Sequence, residues 1–191
     1  MRKVVVSEFV TVDGVIEDPG GSEGFAHGGW SFHSFSDEAA KYKYDELFAA
    51  DALLLGRVTY AGFAEAWPSR TGDEFSDRMN SIAKFVVSTT LDELEWSNST
   101  LIRENVAEEV SKLKEQPGQD ILVAGSAKLV DTLRQHDLVD EYRLMVHPVV
   151  LGSGKRLFRD GSDTTGLRLV DAKTFGSGVV VLTYEPAGTE G

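Results

Sequence analysis

At 191 residues and 41% hydrophobic content the chain can bury one sizeable core, and nothing in it calls for a second domain. With 31 acidic residues against 19 basic ones the net charge is −12, which argues against nucleic acid or an anionic membrane as partner. The absence of cysteine excludes disulfides, thiolate metal sites and thiol nucleophiles.

Met1-Arg2-Lys3 leads straight into Val4-Val5-Val6 with no signal-peptide pattern, and no long uncharged apolar run follows, so a soluble, cytoplasmic protein is expected. Residues 4–12 are mostly apolar and β-branched, the pattern of a central strand covered on both faces and ended by the Asp13-Gly14 turn. Residues 17–29 are rich in glycine and acidic side chains and predict a mobile loop, closed by Trp30, Phe32 and Phe35. Ser36 is placed to cap a helix over 37–49. Then come a strand (52–56), a helix (58–66) stopped by Trp67-Pro68, a helix (73–82) and a strand (84–88). The second half repeats the alternation: strand 100–103, helix 107–114, a Pro117-Gly118 turn, strand 120–124, helix 128–136. Such alternation implies right-handed crossovers and a largely parallel sheet. Residues 141–150, 167–173 and 179–185 read as strands with no helix between them, the last two forming an antiparallel hairpin through Gly176-Ser177-Gly178. The whole is one α/β domain over 1–187, with 188–191 a short tail.

Three strand exits are polar. Leu53-Leu54-Leu55-Gly56 runs into a helix start carrying Arg57, Thr59 and Tyr60; Phe85-Val86-Val87 stops at Ser88-Thr89-Thr90; Ile121-Leu122-Val123-Ala124 stops at Gly125-Ser126-Ala127-Lys128. The unpaired N–H groups of a helix start, beside Arg57 and the Thr59 hydroxyl, form an anion site. Together the exits suit one long phosphorylated ligand.

These pieces, in order, resemble the dihydrofolate-reductase-like superfamily, and within it the branch containing the reductase domain of the bacterial riboflavin-pathway deaminase-reductase. The resemblance runs through Thr11-Val12-Asp13-Gly14-Val15-Ile16, Leu55-Gly56-Arg57-Val58-Thr59-Tyr60, Phe85-Val86-Val87-Ser88-Thr89-Thr90-Leu91, Leu122-Val123-Ala124-Gly125-Ser126, and the segments 138–144 and 148–158. It implies a three-layer fold with a mixed, mainly parallel sheet, and an NADPH-dependent reductase delivering hydride to a pteridine- or pyrimidine-type heterocycle. Carried across by position, it implies that Gly56, Arg57 and Thr59 contact the cofactor phosphates and that Ser88 and Thr89 lie along the adenosine. It also implies that Gly125, Ser126 and Ala127 cradle the pyrophosphate, that Lys128 is near the 2′-phosphate, and that Ile16 lines the nicotinamide pocket. Relatives commonly pair, so a homodimer is expected. Where riboflavin-pathway enzymes carry a Lys before the Asp-Gly turn and an acid before the glycine loop, this chain has Ser7 and Ala124. Some relatives use a cis peptide at the glycine pair that here reads Gly125-Ser126. Without cysteine or a His-x-Glu pair, these residues are not expected to include the zinc deaminase half of the bifunctional relatives, and a stand-alone reductase is expected. Two alternatives stay open: 5-amino-6-(5-phosphoribosylamino)uracil reduction, and an NADPH-binding module without turnover.

Hydride transfer to a C=N or C=O bond needs a proton for the heteroatom. Glu8 lies in the apolar run, where a carboxylate must be paired, neutral or facing a cavity. Asp13 is the second acid candidate, although an Asp there more often organises its own turn. Asp37 and Glu38 suit the helix dipole. Trp30, Tyr60 and Trp67 offer faces for a flat substrate, Trp30 foremost because glycines surround it, while Phe63 fits core packing equally well. His27, His33, His136 and His147 lack metal-ligand spacing, so no metal is assigned. Asp140-Glu141 reads as a solvated junction, and Gly152 and Gly154 as backbone turns near the Asp13 loop.

Overall fold

The apolar run after Lys3 forms strand β1 (Val4–Thr11), and its two faces are buried on opposite sides, Val4 and Val6 in one cluster and Val5 in the other. A computed structural model describes residues 1–188; residues 189–191 of the expected tail lie outside the described residues. After β1 the chain makes α1 (Asp37–Ala49), β2 (Ala50–Gly56), α2 (Arg57–Ala66), α3 (Glu74–Ser81), β3 (Ala83–Val87) and β4 (Ser99–Ile102). It continues with α4 (Val106–Glu115), β5 (Asp120–Val123), α5 (Ala127–Gln135), β6 (Glu141–His147), β7 (Leu167–Thr174) and β8 (Val180–Pro186). The strands form one sheet in the order β4-β3-β2-β5-β1-β6-β8-β7, in which β8 alone runs antiparallel to its neighbours. The expected mixed, mainly parallel sheet with a C-terminal hairpin is therefore present.

Helix spacing decides the layers. In α5, Leu129, Val130 and Leu133 fall on one stripe, as do Val110 and Leu113 in α4, and both stripes cover the face holding Val4, Val6 and Ile121. Leu47 of α1, Tyr60 of α2 and Met79 of α3 cover the other face around Val5, Leu53 and Leu55. Burying one such leucine contributes about 1.5–3 kcal/mol, so Leu133 alone is a sizeable part of what holds α5 down. Ser36 caps α1, its hydroxyl accepting from the Ala39 amide at 3.3 Å; Asp73, read as the first helical residue, instead caps α3 through the Ser76 amide at 2.9 Å.

Three expectations change. The strand expected over 141–150 ends at His147, because Pro148 has no N–H for the ladder. Asp140-Glu141 is not a solvated junction: Asp140 accepts from the Val4 amide at 2.7 Å and pairs with Lys114 at 2.6 Å, while buried Glu141 holds Arg143 at 2.6 Å. Residues 17–29, expected as a mobile loop, are wrapped around buried Asp18. The Asp18 carbonyl accepts from Gly21 at 3.2 Å and Gly29 at 2.9 Å, and its carboxylate accepts from Phe25 at 3.2 Å.

Candidate functional site

The parallel pair β1 and β5 runs only as far as Val6 and Val123, after which β1 stays paired with β6 out to Thr11 and His147. A fork opens between the two central strands. From β1 the chain passes through α1 to β2 on one side of the fork, and from β5 it passes through α5 to β6 on the other. This is a topological switch point, where helices leave in opposite directions and open α/β sheets bind ligands at the carboxyl ends of their strands.

The exits of β2 and β5 are interlocked beside this fork. A Cβ on Gly56 would overlap the Ser126 side chain, and a Cβ on Gly125 would overlap Thr59 Oγ1 and stand 3.1 Å from Thr59 Cβ and Cγ2. Gly125 and Ser126 both take positive φ, 75° and 72°, and no peptide bond among the described residues is cis. The two turns can approach this closely only because both glycines lack a side chain. The result sets the N-termini of α2 and α5 side by side. Gly56 brings no capping side chain, and Ser126 Oγ takes only the Leu129 amide at 3.3 Å, so first-turn N–H groups of both helices stay available. Arg57 and Lys128 stand exposed at these ends and Thr59 is half-buried between them.

Glu8 fills the fork. It is 6% exposed, and its Oε1 accepts from the Gly125 amide at 2.8 Å in place of a ladder bond. Burial, opposed by that amide and by Lys43, pushes its carboxyl up to about 8. Asp13 is the opposite kind of acid: the Thr11 hydroxyl at 2.6 Å, with amides of Gly152 and Leu151 at 2.8 and 3.2 Å, holds it at about 2. It works as the organiser of its turn, with Gly152 beside it as read from the sequence, and has no proton to give near neutrality.

Other expected site residues are distributed differently. Ile16 is half-buried just past the Asp13 turn, its amide donating to the Lys155 carbonyl at 2.9 Å. Thr89 is exposed at the β3 exit, but the Ser88 hydroxyl oxygen is taken up by the amides of Thr90 and Leu91 at 3.2 and 3.1 Å. The three aromatic residues offered for substrate stacking are used in packing. Trp30 is 3% exposed, with Nε1 donating to the Glu17 carbonyl at 2.8 Å and its ring edge-on to His147. Tyr60 is 4% exposed, and its hydroxyl accepts from the Trp96 amide at 3.1 Å. Trp67 lies against Phe63 and Phe75 with Arg70 over its ring. A solvent-open hollow of about 570 Å³, lined by Asp77, Asn80, Glu95 and Trp96, opens where α3 leads into β3, at the end of the sheet away from these exits.

Sequence reasoning missed the charged floor on the α1 face of the fork. Ser7 donates to Glu46 at 2.8 Å and accepts from Lys43 Nζ at 2.7 Å; Lys43 and Arg143 both pair with Glu46. Burial works to raise the Glu46 carboxyl, yet the two cations and Ser7 bring it below its ordinary value. A serine inside an apolar strand was the available signal. Lys43→Met leaves Glu46 with Arg143 and Ser7 only, and is expected to cost about 2 kcal/mol, less than breaking a fully buried pair because Lys43 is partly solvated and Arg143 remains. Urea unfolding of the variant checks this. His147 was also missed as a core group: it is sealed, Nδ1 meets Ser34 Oγ at 2.8 Å, and burial lowers it to about 4. Among the described residues no group of three or more metal-ligating side chains converges.

The sequence profile of the RibD C-terminal domain matches residues 2–181. The chain belongs to that family. It is 35% identical over 187 residues to YyaP of Bacillus subtilis (strain 168), covering 96% of this chain and 94% of that one. YwjB of the same organism is 31% identical over 178 residues, 93% and 95% of the two chains. Among solved structures, a candidate riboflavin biosynthesis protein from Shewanella sp. PV-4 superposes with a TM-score of 0.76 at 18% identity, over 97% of this chain and 99% of that one. The Thermotoga maritima diaminohydroxyphosphoribosylaminopyrimidine deaminase/5-amino-6-(5-phosphoribosylamino)uracil reductase gives 0.66 at 15% identity; this RibD-family chain covers 97% of itself and 57% of that protein. These structural likenesses establish the shared fold, and the family match covers the interlocked exits and the fork alike.

Proposed function

We propose that the protein is an NADPH-dependent reductase acting on a small planar heterocycle. The observation that carries the reading is the Gly56/Ser126 and Gly125/Thr59 interlock, which sets two helix N-termini side by side, with Arg57 and Lys128 on their first turns, in a chain of net charge −12. Two exposed cations and two positive helix ends in so acidic a chain suit the dinucleotide's charged phosphates. The pyrophosphate would rest on the first turns of α2 and α5, with Thr89 toward the adenosine and Ile16 toward the nicotinamide. When bound, the dinucleotide supplies hydride; the chain positions it, and the folded 17–29 segment, pinned through Asp18 and Trp30, limits water near the β1 exit.

Nucleotide fluorescence titration tests the reading. NADPH is expected to bind more tightly than NADH. Arg57→Ala is expected to weaken NADPH roughly tenfold, the loss of one charge-assisted phosphate contact, and Lys128→Ala to narrow the gap between the two nucleotides. An unchanged NADPH affinity in Arg57→Ala overturns the phosphate assignment. The narrower riboflavin-pathway reading is favoured by one observation. Where that pathway's enzymes carry a β1 lysine this chain has Ser7, yet Lys43 reaches across from α1 and brings an ammonium to 2.7 Å from the Ser7 hydroxyl. Following cofactor oxidation against folates, pterins, flavins and aminopyrimidine ribotides separates it from the broader reading, and binding without turnover would leave the nucleotide-binding module.

A further inference from the structure

Glu8 differs from two of the three other buried acids, and Asp18 alone among them likewise lacks a cation among the described residues. Glu46 and Glu141 each hold a cation, whereas Glu8 is paired with none among the described residues, and its Oε1 accepts from the Gly125 amide. The elements packed around it do not repair this. Its register neighbour on β6 is Leu144, β5 contributes only the Gly125 amide, and α5 presents Leu129 to the same apolar cluster. Across the sheet, α1 supplies Lys43 and Glu46, opposite in sign and tied to each other. Arg143, beside Leu144 on β6, is tied to Glu46 and Glu141, and Arg57 of α2 and Lys128 of α5 are exposed at the helix starts.

We propose that Glu8 is a positioning residue of the dinucleotide cradle: its uncharged carboxyl fixes the Gly125 turn, and the proton it holds is retained when a phosphate-bearing dinucleotide binds. The inference rests on the dinucleotide reading of the cleft. An uncharged carboxyl can accept from the Gly125 amide while adding no negative charge behind a phosphate site. An ionised one would add negative charge behind the Gly125 turn, offset only by Lys43, which is itself tied to Glu46, and would repel phosphates bound at that turn. Burial holds the group uncharged at neutral pH and lets it ionise in the mildly alkaline range, where the two states exchange. Linkage then works in both directions: ionisation weakens the ligand, and the ligand draws a proton onto Glu8.

Calorimetric titration of the full chain with NADPH, at about pH 7 and about pH 9 and in two buffers of different ionisation enthalpy, reads both effects. The expected result is roughly tenfold weaker binding at the higher pH, with fractional proton uptake per NADPH bound there. In Glu8→Gln both the weakening and the uptake should vanish while binding persists; a variant merely damaged in folding would lose affinity at every pH alike. Wild-type binding that is independent of pH without proton uptake overturns the inference even if Glu8→Gln cannot be purified, as does a pH effect that survives in the variant. No NADPH binding at either pH would remove the dinucleotide reading and this inference with it, whereas pH-independent binding removes this inference alone.

Discussion

Glu8→Gln is expected to make the protein more stable at neutral pH, by about 2 kcal/mol, although it alters a residue at the centre of the candidate site. Burial moves the Glu8 carboxyl from an ordinary 4.5 up to about 8, so the folded chain keeps a proton that the unfolded chain releases. Stability therefore falls as pH rises from 4.5 to about 8 and is flat beyond, each pH unit costing about 1.4 kcal/mol. Gln keeps the acceptor for Gly125 and removes the ionisable group, at the cost of an amide left partly unsatisfied, which trims the gain. Two other buried groups define where the effect can be isolated. His147, lowered from 6.5 to about 4, makes stability rise with pH across that interval, because there the unfolded chain binds the extra proton. Lys84, lowered from 10.5 to about 8 by burial, makes it rise again above about 8. Between pH 6.5 and about 8 the Glu8 carboxyl acts against neither. Urea unfolding at the two ends of that window should show the wild type losing about 2 kcal/mol and Glu8→Gln close to none; parallel profiles for the two proteins would sink the assignment of Glu8 as an unpaired buried acid.

A residue that lowers stability where it sits, with Lys43 and Arg143 close by but committed to Glu46, marks a place where packing alone does not explain the side chain. The same holds for the paired positive φ angles at Gly125 and Ser126. Both lie at the one point where α1 and α5 diverge, so topology, backbone geometry and electrostatics converge on the fork between β1 and β5.

Much of this was legible in the residues. The doubly apolar run at Val4-Val5-Val6 announces a central strand, and Gly56 and Gly125 at the ends of apolar strands announce turns that feed helices, because periodicity and turn chemistry are local properties. The partners of those turns were not legible. Nothing local to Gly56 says that Ser126 will sit against it, and nothing local to Trp30 says that Glu17 and His147 will enclose it, so a tryptophan among glycines read as an exposed platform. The local use of Ser88 was not legible either: a hydroxyl at a strand exit can serve its own turn, here accepting from the Thr90 and Leu91 amides. The Lys43, Glu46 and Ser7 cluster was missed because Ser7 lies 36 positions from Lys43 and 39 from Glu46, joined to them only through the packing of α1 on β1.

Gly125→Ala should produce the largest loss. Two separate costs fall on the new methyl group: a backbone at φ 75° that an L-residue adopts at about 1–2 kcal/mol, and overlap with Thr59 that forces the two helix starts apart for about 1–3 kcal/mol more. The costs can be told apart by the companion change. Thr59→Ala removes Oγ1 and Cγ2 from the path of the methyl and leaves the backbone term untouched, so the double variant should regain about half of the stability lost in Gly125→Ala alone. NADPH affinity should behave differently, falling by at least about tenfold in Gly125→Ala and staying low in the double variant, because the backbone strain at residue 125 remains and the Thr59 hydroxyl is gone. Denaturant unfolding and nucleotide titration of the three proteins supply both readings. If Gly125→Ala folds as firmly and binds NADPH as tightly as the parent, the contact between the β2 and β5 exits does not shape the cleft.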